Sequence, residues 1–318
     1  MNSLSSSIVE HHFQINKLVQ AFKSKRLHHA YLFSGPESVG KYSVALALTQ
    51  FILCEKNNDK NEACAECGSC LRVAKKKSEN ILFIEPDGTQ IKIDQTRQIL
   101  DFLSLTNFGR PRVIIIDQAQ SLNAQSSNAL LKILEEPQAD VHFFMITSDS
   151  QMIMPTIRSR TQLVRFNRLS IEALKQIKPD LLDWIYYSSR GQIDRCLVLA
   201  DQSKNNRRVN HLELLQHFFN TDFLLKSDWR NDFKSREEMQ NLIDNWILFL
   251  RDFLVLKIDS NSSIINSDQK EKIFNLKIKT NARITKLISA LMQSYRELQG
   301  HADAVLLMEK LWVQHALD

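Results

Sequence analysis

Residues 29–43 read HAYLFSGPESVGKYS, and this stretch decides how the first half of the chain is built. HAYLFSG is a short apolar strand, Gly35 and Gly40 supply a tight turn, and KYSVALALTQFIL (41–53) reads as a helix that starts at the turn. A helix beginning there points its free backbone amides and its positive dipole end at whatever anion the turn cradles, and Lys41 adds a charge. Gly-x4-Gly-Lys between a strand and a helix is the pattern of a phosphate-binding loop, which normally closes with a Ser or Thr whose hydroxyl ligates magnesium. Here Tyr42 takes that place. Ser43 is a poor substitute, because one step along a helix rotates the side chain by about 100°. Gly35, Gly40, Lys41 and Tyr42 therefore form a degenerate nucleotide site that keeps its phosphate-binding parts better than its metal-binding one, so that ATP or ADP can be held without efficient magnesium-dependent hydrolysis.

Working outward, strand-like and helix-like stretches alternate: NILFIEPDG (80–88), IDQTRQILDFLSL (93–105), RPRVIIIDQAQ (110–120), NAQSSNALLKILEEP (123–137) and VHFFMITSD (141–149). This is the alternation of a sheet with helices on both faces, and it ends near Phe166. VIIID places Asp117 at a strand end, where a magnesium-holding acid belongs, but Gln118 follows it. An amide cannot take up a proton as a carboxylate does, so Tyr42 and Gln118 argue independently against hydrolysis.

The composition suits a helix-rich globular chain: 318 residues, 43% apolar and 24% charged, with 7 Gly and 6 Pro. A net charge of +5 is too small to imply nucleic-acid binding by itself, and little DNA affinity is expected of the isolated chain. The opening MNSLSSSIVEHH lacks a signal-like pattern, and the most apolar stretch, WILFLRDFLVL (246–256), is interrupted by Arg251 and Asp252, so a cytoplasmic protein is expected.

Four of the five cysteines, Cys54, Cys64, Cys67 and Cys70, form Cys-x9-Cys-x2-Cys-x2-Cys. Four soft ligands in one short excursion favour a closed tetrahedral zinc with a structural role. Cys196 reads as a small buried hydrophobe, and His28 and His29 lack the companions a metal site needs. PTIRSRTQ (155–162) carries Arg158 and Arg160, an ordinary solvated pair or, more sharply, the source of an arginine finger whose planar head steadies phosphoryl charge on a neighbouring subunit.

From 167 to 205 the pattern is helical and reads as a small lid, with DQSKNNRRVN (201–210) as a polar linker and DSNSSIINSDQ (259–269) as a similar loop. Beyond 206 every regular stretch is helical. Ile284, Leu287, Ile288, Leu291, Tyr295 and Leu298 share one stripe, Ile243, Ile247, Leu250 and Leu254 another, and Gly300 is placed to end the first of these helices. The expected fold class is α/β followed by all-α.

Taken together, HHAYLFSGPESVGK (28–41), the cysteine excursion, RVIIIDQAQSLNAQSSNALLKILEEP (112–137) and PTIRSRTQ resemble the clamp-loader group of AAA+ proteins. The match is specific over about residues 20–166, thinner over the lid and architectural over the last third, where RELQGHADAVLLMEKLW (296–312) is similar to the group's final collar helices. The resemblance implies a RecA-like nucleotide-binding domain (1–166), a helical lid (167–205) and a helical collar (206–318). It implies a five-membered ring with gamma/tau motor subunits and a delta subunit that places a sliding clamp on primed DNA. It also implies that Arg160, in Ser159-Arg160-Thr161, acts in trans on a motor's ATP, although Thr161 replaces the group's Cys. Asp149 stands where the group often has a sensing Asn, and Asp194 where motors carry a sensing Arg, with Arg195 one place off. These departures fit the group's non-hydrolysing stator. Two rivals stay open: a motor subunit with Ser43 or water replacing the missing hydroxyl, and a zinc-dependent DNA-binding module.

Overall fold

A computed structural model of the chain describes residues 3–56, 61–105, 109–219, 235–276, 278, 280–299 and 302–315. Its contacts divide it into two compact units, Met1–Pro179 with Gly191–Ile193, and Asp180–Arg190 with Asp194–Asp318.

The first unit is a parallel sheet flanked by helices. In chain order it comprises α1 (His12–Lys23), β1 (Ala30–Ser34), α2 (Lys41–Ile52), α3 (Gly68–Ala74), β2 (Ile81–Ile84), α4 (Ile93–Ser104), β3 (Arg112–Ile116), α5 (Ala124–Glu135), β4 (Val141–Thr147), α6 (Pro155–Arg158), β5 (Gln162–Arg165) and α7 (Ile171–Ile177). The strand order is β2-β3-β4-β1-β5, with every neighbouring pair parallel. Strands covered on both faces must be apolar nearly throughout, which is why RVIII and VHFFMIT read as continuous runs and not as alternations. Ile114, Phe143 and Leu32 are fully buried, with Leu130 and Leu134 of α5 and Ile99 of α4 packed into the same core.

Register fixes where chemistry belongs. Ser34 pairs with Thr147 and Arg165, Ile116 with Met145, and Ile84 with Ile116, so the segments after β1, β2, β3 and β4 leave the sheet at one carboxyl edge. Open parallel sheets bind ligands at that edge. The fifth strand is absent from the sequence reading. It is four residues long, lies at the edge against β1 alone, and leaves Leu163 37% exposed, so burial imposes no apolar run on it.

The second unit contains α8 (Asp183–Ser188), most of α9 (Ile193–Leu199), α10 (Gln202–Phe218), α11 (Arg236–Ile258), α12 (Lys270–Phe274), α13 (Asn281–Gln299) and α14 (Ala304–His315). Both expected stripes face its core: Ile284, Leu287, Leu291 and Leu298 are buried against Ile243, Trp246, Leu250 and Phe253, with Ile288, Tyr295, Ile247 and Leu254 at the margin. Gly300 lies outside the described residues.

The linker expected at 201–210 is instead the first half of α10, and this corrects the sequence reading. Asp201 caps the helix by accepting from the Ser203 amide at 2.8 Å. Arg208 is buried beneath it at 1% exposure, donating to Asn266 Oδ1 at 2.7 Å, to Asn205 Oδ1 and to Asp268, with its guanidinium 4.4 Å above the Trp184 ring. The expected loop at 259–269 is pinned from the same side. Buried Asp252 accepts from the amides of Ile265 and Asn266 and from Asn266 Nδ2. Polar residues at both places are structural partners, so no apolar period marked the helix. Of the stretch read as a lid, α7 lies in the first unit and α8 in the second, and the 205/206 boundary falls inside α10. Among the described residues no helix is long and apolar enough to cross a membrane.

Candidate functional site

The turn after β1 is held from several sides. Gly35 passes so close to the end of β5 that a Cβ there would lie 2.2 Å from the Phe166 carbonyl oxygen, and Gly40 adopts φ +98, a left-handed conformation that glycine takes without strain. The carbonyls of the turn are engaged one after another. Glu37 accepts from Gln192 Nε2 at 3.2 Å, Ser38 from the Ile193 amide at 3.1 Å, and Val39 has His11 Nε2 at 2.9 Å. Burial holds the His11 imidazole below its ordinary pKa, against the hydrogen bond to Val39 and the charge of Glu10.

Lys41 is 6% exposed, and its ammonium donates to the carbonyls of Gly35, at 2.6 Å, and Pro36. Desolvation lowers its pKa, opposed by the charges of Asp117 and Glu37. Tyr42 turns its ring to Phe83 of β2, with centroids 6.3 Å apart and planes 28° from parallel, and Lys76 Nζ stands 4.4 Å from the Tyr42 centroid. Its phenol oxygen is buried with no hydrogen-bond partner among the described residues. Asp117 Oδ1 accepts from the Gln118 amide at 2.9 Å, and Gln118 itself is exposed at φ +48. Asp149, after β4, caps the turn 150–152 by accepting from the Gln151 amide at 2.8 Å.

Arg160 is about one third exposed, and its fork is already aimed: Nη2 meets Glu135 Oε1 of α5 at 2.7 Å and Nη1 donates to the Thr156 carbonyl at 2.9 Å. Arg158 donates to Gln151 Oε1 at 2.8 Å. Nothing in the sequence marked Glu135 as a partner, since the two residues are 25 apart and meet only through the packing of α5 beside α6. Arg195 is committed within the second unit, where its Nη2 donates to Asp244 at 2.8 Å, beside Arg190 on the same carboxylate.

The four predicted cysteine ligands are brought together, with all Sγ atoms within 4.8 Å of one another. Cys64 Sγ and Cys70 Sγ are 3.8 Å apart, close to the edge of about 3.8 Å that a tetrahedron with metal–sulfur bonds of about 2.3 Å requires. Each sulfur of Cys54, Cys64 and Cys67 accepts a backbone amide at 3.4 Å, from Cys64, Cys67 and Cys70 respectively. Desolvation raises the Cys54 and Cys70 thiols; at Cys64 it is outweighed by the amides of Glu66 and Cys67, which bring that thiol down to about 7. The donor set is that of a closed, sulfur-rich metal centre. Cys196 is buried and apart from it.

A parallel sheet in the order β2-β3-β4-β1-β5, with a Gly-x4-Gly-Lys turn after β1 and an acid after β3, is the RecA-like AAA+ fold, here with Tyr42 after the lysine and Gln118 after the acid. The family model described as DNA polymerase III, delta subunit, matches residues 10–170, half of the chain, and the chain belongs to that family, within the delta prime, gamma and tau clamp-loader group. It is 26% identical to DNA polymerase III subunit delta' of Bacillus subtilis, over 92% of both chains. It is 30% identical to DNA polymerase III subunit tau of Salmonella typhimurium over 62% of this chain, which spans 33% of that relative. A solved DNA polymerase III gamma subunit-related protein of Thermotoga maritima aligns at 18% identity and a TM-score of 0.47, covering 95% of this chain and 98% of that one.

Proposed function

We propose that this chain is the stator of a clamp loader, a delta prime-type subunit that hydrolyses no ATP itself and completes the ATP site of a neighbour. The observation that carries the reading is that Lys41 is held on the loop carbonyls and Tyr42 packs on Phe83 where a magnesium-ligating hydroxyl would stand, while Asp117 is followed by an amide in place of a carboxylate. Its chemical contribution is Arg160, whose planar multi-donor head stabilises charge on a phosphoryl group in transfer once it leaves Glu135. Gamma/tau motors and a delta subunit are its proposed ring partners, with the sliding clamp and primed DNA engaged through the complex. The helices of 167–205 serve as the proposed lid and those beyond 206 as the collar. Cys54, Cys64, Cys67 and Cys70 hold zinc in this reading, which supplies a cross-link in place of a core under the excursion.

The test is Arg160→Ala in the assembled complex. DNA-stimulated ATP turnover at the neighbouring site is expected to fall on the order of 10³-fold. Unchanged turnover would refute the trans role, and steady magnesium-dependent turnover by the isolated chain would favour a motor subunit instead.

A further inference from the structure

Tyr42 occupies the place of a magnesium hydroxyl, and its surroundings give it a different task. Its ring and that of Phe83 form one aromatic platform, and Lys76 lies over both, 4.4 Å from the first centroid and 5.9 Å from the second. Lys76 follows α3 at φ +54, where its amide closes on the Val73 carbonyl and the Lys77 amide on that of Arg72, a left-handed helix stop. The end of α3 is therefore set against the first turn of α2. The opposite ends meet too: Cys54 follows the last turn of α2, buried Gln50 donates to the Cys70 carbonyl at 3.2 Å, and Cys67 caps the start of α3. The short helix of the excursion thus runs back along α2 in the reverse direction, touching it at the cysteines and at Tyr42.

We propose that Tyr42 is the docking residue of the cysteine excursion, so that metal held by the four cysteines fastens α2 at both ends. The proposal rests on the reading of Cys54, Cys64, Cys67 and Cys70 as a metal centre. A hydroxyl at position 42 would leave Lys76 only the more distant Phe83 ring to cover, at 5.9 Å, and would remove the closer of the two contacts at the far end of the excursion. The phenol oxygen has no partner among the described residues, so the ring and not the hydroxyl carries the contact.

Peptide-resolved hydrogen exchange on the full chain, loaded with one zinc ion and then treated with a chelator, tests this. Metal removal is expected to speed exchange at residues 50–54 and also at 42–46. In Lys76→Ala, which removes no ligand, exchange at 42–46 is expected to be about 2- to 5-fold faster with zinc still bound, and to respond no further to chelation. Tyr42→Phe should behave as the unaltered chain and Tyr42→Leu as Lys76→Ala. Zinc binding with 42–46 indifferent to its removal, or Lys76→Ala responding as the unaltered chain does, would overturn the proposal and leave the metal centre standing. No uptake of zinc would overturn both.

Discussion

Arg208→Met isolates what a buried guanidinium does for the helical unit. Methionine keeps much of the apolar stem, so the change removes the polar head and little packing. That head is 1% exposed, donates to Asn266, Asn205 and Asp268, and stacks on Trp184. Each hydrogen bond to a charged group contributes about 1.5–3 kcal/mol before desolvation is charged against it. Burial lowers the Arg208 pKa, only partly offset by Asp268, so desolvation cancels a substantial share. Asp268 lies near the surface and regains water when its partner goes, whereas the Oδ1 of buried Asn266 loses the guanidinium that donated to it. The net loss is about 3 kcal/mol, at the low end for breaking a buried pair. For a unit of this size that lowers its melting temperature by roughly 10 °C. Calorimetry of the full chain, following the transition assigned to the second unit, is the assay. Arg208→Lys, which restores charge without the planar fork, should recover less than half of the loss. A shift under about 2 °C for Arg208→Met would refute the view that this arginine specifies α10.

His211 is held down to about 4 by desolvation and by the charge of Arg207, and Asn245 Nδ2 lies 2.8 Å from its Nδ1 as a donor to the neutral ring. Because the folded value lies below the ordinary 6.5, the unfolded chain takes up the proton first; stability is full above pH 6.5 and falls toward pH 4, by about 2 kcal/mol at pH 5, and His211→Gln should flatten that part of the curve. The double change Tyr42→Thr with Gln118→Glu restores the missing hydroxyl and carboxylate, yet Lys41 remains on the Gly35 and Pro36 carbonyls. ATP turnover is expected to stay at least about 10²-fold below the roughly 1 s⁻¹ of an ordinary phosphoryl-transfer enzyme, and a rate near that value would show that Tyr42 and Gln118 alone, and not the engagement of Lys41, keep the site silent. Metal analysis of the purified chain is expected to give one zinc per molecule, lost in Cys64→Ser together with at least about 10 °C of melting temperature in the first unit, and an equal melting temperature in the two proteins would refute a structural metal.

The sequence was most legible where burial dictates composition. RVIII and VHFFMIT announce interior strands because both faces are covered, and the stripe of Ile284, Leu287, Leu291 and Leu298 announces a helix facing one core. The cysteine spacing was equally direct, since four sulfurs separated by two and nine residues have few other ways to be satisfied together. What escaped was specified by polar partners distant in the chain. Helix α10 owes its first turns to Asp201 and to an arginine whose acceptors lie about 60 residues on, and the Arg160–Glu135 pair needs α5 to be in place before either residue has a meaning. The edge strand β5 is defined by backbone bonds to β1, which carry no side-chain signature.

The glycine at position 35 has a consequence for how such motifs are interpreted. Its missing side chain makes room for the Phe166 carbonyl, Gly40 supplies φ +98, and Lys41 closes the turn onto its own carbonyls. Both glycines of Gly-x4-Gly-Lys are thereby demanded by the joint between β1 and the helix after it, with no nucleotide in the reasoning. In this chain the two glycines report the joint, and what the site can do with a ligand is decided by Lys41 and by the residues just outside the pattern, Tyr42 and Gln118.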